Sequence, residues 1–121
     1  MNIFLIIIVV HFLADFCLQT HEQAMGKGEG WTLWNTWLFY HVSTYSIIWF
    51  ITILALEDSL RSAFIFTLIT YVSHYITDWV TSRIGKPFWE KKDYHNGFVV
   101  VGFDQILHYV QLYYTFKLIG L

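Results

Sequence analysis

Four stretches of this chain, residues 2–19, 34–56, 60–83 and 97–118, are long and almost wholly apolar, and only three short polar connections separate them. A helix that crosses a bilayer takes roughly 20 mostly apolar residues, within a range of about 17 to 25. All four stretches fall in that range. With 121 residues the chain is one domain by size. Its residues are 56% apolar and 21% aromatic, and only 13% are charged, against about 25% charged in ordinary soluble domains. So much apolar surface needs lipid to cover it. The expected fold class is therefore all-α: an integral membrane four-helix bundle forming a single transmembrane domain over residues 1–121.

The connections carry the punctuation that such helices need. HEQAMGKGEG (21–30) holds three glycines and the first cluster of charges, Glu57, Asp58 and Ser59 make a tight turn, and Gly85, Lys86 and Pro87 are expected to stop the third helix. Trp31, Trp34 and Trp37, with Trp79, Phe88 and Trp89, fit the aromatic belt of a membrane interface. The first stretch lacks a basic start and a small-residue cleavage site and contains His11 and Asp15, so it reads as a retained helix rather than a secretory signal. Connections one and three share a side and hold Lys27, Arg83, Lys86, Lys91 and Lys92, against Arg61 and Lys117 opposite. The excess of positive charge places that side in the cytoplasm and both termini outside, in a multi-pass arrangement in a bacterial inner membrane. A formal net charge of −2 gives no support to nucleic-acid binding, and the lone Cys17 excludes an intramolecular disulfide.

Ionisable side chains at membrane depth are costly, about 2.5 to 3.5 kcal/mol each on insertion scales, and mark functional interiors. This chain has seven: His11, Asp15, His41, His74, Asp78, Asp104 and His108. Six of them form His11/Asp15, His74/Asp78 and Asp104/His108, each an imidazole and a carboxylate four residues apart on one helical face. On the fourth helix, which runs the opposite way, the order is reversed. Each of these three helices can thus present its carboxylate nearer the basic side and its imidazole deeper, and His41 on the second helix reaches the same zone. Nothing in the apolar pattern requires that reversal.

Neutral imidazoles and ionised carboxylates together suit a divalent metal, zinc first, with manganese or iron as alternatives. Three carboxylates leave about one negative charge beside one dication and about one positive charge beside two, the latter suited to hydroxide or a phosphate oxygen. Gln19, Ser43, Ser73, Thr77 and Gln105 are candidates to orient the imidazoles. Lys27 and Lys86 flank the expected cytoplasmic mouth and are candidates to hold a phosphate. His21 and His95 fall in polar connections and read as solvated.

Residues 11–19 (HFLADFCLQ), Lys27, His41, residues 74–79 (HYITDW) and residues 104–108 (DQILH) resemble, in order and over nearly the whole chain, the DUF3307 family of small bacterial and phage membrane proteins. The resemblance implies that His11, Asp15, Gln19, His41, His74, Asp78, Asp104, Gln105 and His108 are the motif positions. It implies no reaction. A lysine often follows the Asp-Trp pair in that family; here Thr81 and Ser82 come before Arg83, and that basic role is not carried over. Membrane-bound metal-dependent hydrolases, which also carry His and Asp on membrane helices, are a looser likeness.

The leading expectation is a membrane-embedded hydrolase dependent on a divalent metal, acting on a lipid or lipid-linked phosphoester or ester at the cytoplasmic leaflet, with Asp104 or Asp78 as general base. A divalent-cation or proton transporter is the first alternative, disfavoured by the apolar residues 47–56 and 62–69 beyond the histidines. A phage or bacterial interaction protein with a structural metal is the second, and haem ligation a weaker third, since it leaves three aspartates unexplained. Association into homo-oligomers is compatible with the sequence.

Overall fold

Five side chains start the five helices of this protein, each turning an oxygen onto a free backbone N–H of the first turn. In the computed structural model, which describes residues 1–121, Asn2 caps α1 (Ile3–Phe12), Thr20 caps α2 (His21–Gly26), Asn35 caps α3 (Thr36–Glu57), Ser59 caps α4 (Leu60–Glu90) and Asp93 caps α5 (Tyr94–Leu118). There is no strand. The fold is all-helical, as expected, and the helix bounds differ from the sequence reading in three places.

The first helix changes character at its end, where Leu13–Cys17 forms a π-helical turn closed by the Leu18 N–H on the Leu13 carbonyl. The first connection, expected as loop, contains α2. Its signal was present, for Thr20 and Gln23 form a reciprocal capping box. The third expected helix does not stop at Gly85, Lys86 and Pro87 but runs on to Glu90 with Pro87 inside it. Pro87 forfeits one backbone hydrogen bond, and packing against α5 offsets that loss. The Trp89 ring lies where a Cβ on Gly97 would be 2.9 Å away and meets Phe98 edge-on, and Gly85 lies against Val100. Gly97→Val is accordingly expected to destabilise the protein by about 1–3 kcal/mol through overpacking against Trp89. A thermal melt of the variant against wild type checks this, and an unchanged midpoint would show that this contact does not hold the end of α4.

The long helices close a ring: α3 packs on α4, α4 on α5, α5 on α1, and the π turn after α1 returns to α3. Their interior is divided. At the end toward the α3–α4 turn it is apolar, built on Ile7, Tyr45, Trp49, Ile53, Phe66, Leu112 and Phe116. Below that layer it is polar. Of the 27 buried residues, thirteen are polar or charged and eleven are apolar, among them all seven of the expected ionisable residues. The outside is the reverse: Phe64, Leu68, Val72, Ile76, Val80 and Ile84 form an exposed stripe down α4, and Phe98, Phe103, Ile106 and Val110 do the same on α5.

By length and composition one helix, Thr36–Glu57, is apolar enough to cross a membrane, with a mean hydropathy of 1.5, and Ile3–Cys17 is apolar but short. The four equivalent spans expected from the sequence are not met on that measure. The physical reason lies in the interior, since α4 and α5 carry His74, Asp78, Asp104, Gln105 and His108 at mid-length.

Candidate metal centre

His11 occupies the last turn of α1, and the π turn that follows sets Asp15 into the bundle, its residue 4% exposed. Such π turns recur at functional sites because the extra residue re-aims the side chain. The other members need no distortion: His41 is on α3, His74 and Asp78 on α4, Asp104 and His108 on α5. All three expected pairs meet along their own helices, with Nε2 to carboxylate oxygen distances of 3.3 Å for His11–Asp15, 3.4 Å for His74–Asp78 and 3.3 Å for His108–Asp104.

The shorter contacts run between helices. His41 Nε2 lies 2.9 Å from Asp15 Oδ1, 3.2 Å from His74 Nε2 and 3.4 Å from Asp78 Oδ2. His74 Nε2 lies 3.4 Å from each of the same two oxygens. Four donor atoms thus converge from three segments: two imidazole nitrogens and two carboxylate oxygens. A tetrahedral ion with bonds of 2.0–2.2 Å has donor–donor edges of about 3.4 Å, so five edges of 2.9–3.4 Å match such a cage. A neighbouring group of Asp15, Asp104 and His108 has ligand atoms within 4.8 Å of one another. His108 Nε2 is 2.9 Å from Asp78 Oδ1.

His41, expected only to assist, sits at the centre. Gln105 ties the set together: its carbonyl accepts from His11 Nε2 at 2.6 Å and its amide donates to Asp15 and Asp104 at 3.2 and 3.1 Å. Of the other orienting candidates, Gln19 keeps a buried carbonyl without a partner and lines the pocket below the cluster. Ser43 faces Tyr71, Ser73 makes no hydrogen bond to the cluster, and Thr77 offers only its backbone carbonyl to Thr81. His21 and His95 are exposed, as expected.

Three participants went unread. Tyr45 places its hydroxyl 2.7 Å from His11 Nδ1 and stacks its ring on His74 at 3.9 Å, and His108 stacks on His74 from 4.1 Å. His74 Nδ1 has no hydrogen-bond partner, so stacking holds that ring. Thr81 donates to Asp104. Arg83 bonds the carbonyls of Lys27, Glu29 and Gly30 and clamps the first connection onto α4. Spacing signalled the first two, since Tyr45 is four residues from His41 and Thr81 three from Asp78 on the same helical faces.

A cavity of about 560 Å³ opens onto the cluster from the side of the first and third connections. Asp15, Asp104 and Gln105 line its inner end, Phe16, Met25 and Val101 its apolar walls, and Lys86 its polar rim, while Lys27 lines it from within. The two lysines differ. Lys86 is paired with Glu29 at 2.9 Å at the surface, whereas Lys27 reaches in to Asp78 Oδ2 at 2.9 Å. Burial by itself would lower the Lys27 pKa; the carboxylates of Asp78 and Asp15 outweigh that and hold it above its ordinary value. Lys27 is therefore a fixed cation at the junction of pocket and cluster.

Compared with known proteins, residues 3–120 match the model of a family described as protein of unknown function (DUF3307). No curated protein and no solved structure matches the chain.

Proposed function

Since this chain belongs to the DUF3307 family, whose description assigns no activity, we propose from the geometry of the site that it is a membrane-embedded hydrolase dependent on a divalent metal, zinc first, that cleaves a lipid or lipid-linked phosphoester or ester. The observation that carries this reading is the convergence of Asp15, His41, His74 and Asp78 beneath a pocket lined by Asp104 and Lys27. The exposed stripe on α4, residues 60–84, covers about 36 Å at 1.5 Å per residue, enough for a hydrocarbon core of about 30 Å. Hydropathy along α4 and α5 undercounts them as spans, because it treats the enclosed His and Asp residues as though they faced lipid. In this reading α3, α4, α5 and the shorter apolar segment Ile3–Cys17 lie in the inner membrane, and the pocket opens at the cytoplasmic leaflet, where the basic connections lie.

An ion held by the cluster with one position left open toward the pocket would polarise the substrate's phosphoryl or carbonyl oxygen and lower the pKa of bound water toward about 7. The water oxygen bonds to phosphorus or carbon, the bond to the leaving oxygen breaks with its electron pair, and the water's proton passes through Asp104 to the departing alkoxide. Ester and water become acid and alcohol. Asp104 rather than Asp78 is the base, because Asp104 lines the pocket whereas Asp78 does not and turns its Oδ2 toward His41 and His74. The buried layer of Trp49, Phe66, Leu112 and Phe116 closes the other end, which disfavours a transit path for ions.

Detergent-solubilised protein is expected to release product from a membrane lipid extract or lipid-linked phosphates only with a divalent ion present. Asp104→Asn should lower turnover by about 10²–10⁴-fold. Metal flux into sealed vesicles without any turnover would overturn the hydrolase reading in favour of transport.

A further inference from the structure

We infer that the cluster is a two-ion site in which Asp15 and Asp78 bridge a closed ion position, held by His41 and His74, and an open one, held by Asp104 and His108. The inference deepens the metal-centre reading and rests on it. Its ground is the way each bridging carboxylate divides its two oxygens. Asp78 turns Oδ2 toward His41 and His74, 3.4 Å from each, with Lys27 Nζ on the same oxygen at 2.9 Å, and Oδ1 toward His108 at 2.9 Å. Asp15 turns Oδ1 toward His41 and His74 and Oδ2 away from them, toward His11 at 3.3 Å and the Gln105 amide. The second oxygen of Asp78 thus meets the donors of the second position directly, and Asp15 joins them through its grouping with Asp104 and His108 within 4.8 Å.

The second set is chemically complete. His108 Nε2 stands 2.9 Å from Asp78 Oδ1 and 3.3 Å from Asp104 Oδ2, again near the edge length of about 3.4 Å expected around one ion. Asp15, Asp104 and His108 supply ligand atoms within 4.8 Å of one another. The two positions differ in access. The closed one already has four enclosed donors, the arrangement of structural sites, while the open one borders the pocket through Asp104, as a catalytic position requires. Charge fits an anionic substrate: three carboxylates and Lys27 beside two dications leave about two positive charges, which a hydroxide and a substrate oxygen would neutralise. With a second ion bound, Asp104 would be its ligand rather than the free base of the single-ion case, and the ion pair would supply the activation of water.

Manganese is the probe, because two ions about 3.5–4 Å apart under bridging carboxylates are magnetically coupled. The full chain, stripped with chelator in detergent and reloaded with Mn²⁺, is expected to bind two ions per chain and to give an exchange-coupled paramagnetic resonance spectrum. Asp104→Asn and His108→Gln are each expected to bind one ion with an uncoupled six-line spectrum, their helical content by circular dichroism unchanged. Two ions without coupling, or two ions retained in both variants, would overturn the bridged arrangement. One ion in wild type would overturn it while leaving the single-ion hydrolase standing. No bound ion at all would remove both.

Discussion

Replacing His74 by alanine is expected to lower metal affinity by more than about 100-fold, since loss of a mere outer-shell partner already costs about 10- to 100-fold. His74 Nε2 supplies one corner of the four-donor cage, and its ring is completely buried between Tyr45 and His108. No other imidazole can swing in to replace it: His11 is held by Tyr45 and Gln105, and His108 faces Asp78 Oδ1. The variant would also keep Asp15 and Asp78 close together with only His41 and Lys27 to offset them. Elemental analysis of purified wild type and His74→Ala, each loaded with zinc, manganese or iron, measures the effect. Ser43→Ala, whose side chain faces Tyr71 rather than the cluster, should retain full metal. Equal metal in wild type and His74→Ala would mean that the cage is not the binding site. Substoichiometric metal in wild type would reduce the cluster to a hydrogen-bond network between helices.

The second large effect concerns the outer surface. Val72 lies at the middle of the exposed α4 stripe and is 50% exposed. In water, Val72→Lys would change stability by no more than about 0.5 kcal/mol, as surface substitutions do. In a bilayer the same lysine would sit at mid-depth facing lipid, at a cost of about 2.5–3.5 kcal/mol on insertion scales. Wild type is therefore expected to stay in the membrane pellet after alkaline carbonate washing, and Val72→Lys to show sharply reduced insertion and accumulation. Arg61→Lys, at the end of α4, is a control expected to behave as wild type. A wild-type chain that is released by the wash, or a Val72→Lys variant that accumulates normally, would count against lipid as the solvent for this face.

Local features of this protein are legible in its residues. Apolar runs and polar connections located the long helices, because a hydrogen-bonded helix is the form such a run takes wherever water is scarce. The i, i+4 spacing of His11/Asp15, His74/Asp78 and Asp104/His108 placed each pair on one face, since that spacing is a property of the helix alone. The reversed order on α5 predicted that the pairs would lie level, and they do. A family resemblance read from the same residues agrees with the matched family. Two local signals were nonetheless outweighed or passed over, and one feature had no local signal. Pro87 marked an end that packing of Trp89 on Gly97 overrode; the capping box at Thr20 and Gln23 announced α2; and nothing in the residues of 13–17 declared a π turn.

Only the tertiary structure decided which groups face one another across helices. Sequence spacing cannot tell that His41 is central rather than auxiliary, because its partners Asp15, His74 and Asp78 lie on other segments and their meeting depends on how the bundle closes. Nor can it tell that Lys27 enters the cluster while Lys86 stays at the rim, since both stand in basic connections of similar composition. The assignment of separate carboxylate oxygens to separate imidazoles is likewise a matter of side-chain rotation within a packed interior. Helix periodicity is set by the backbone and repeats every turn, so it can be read in one dimension; the pairing of donor atoms is set by contacts between distant residues and exists only once the chain has folded.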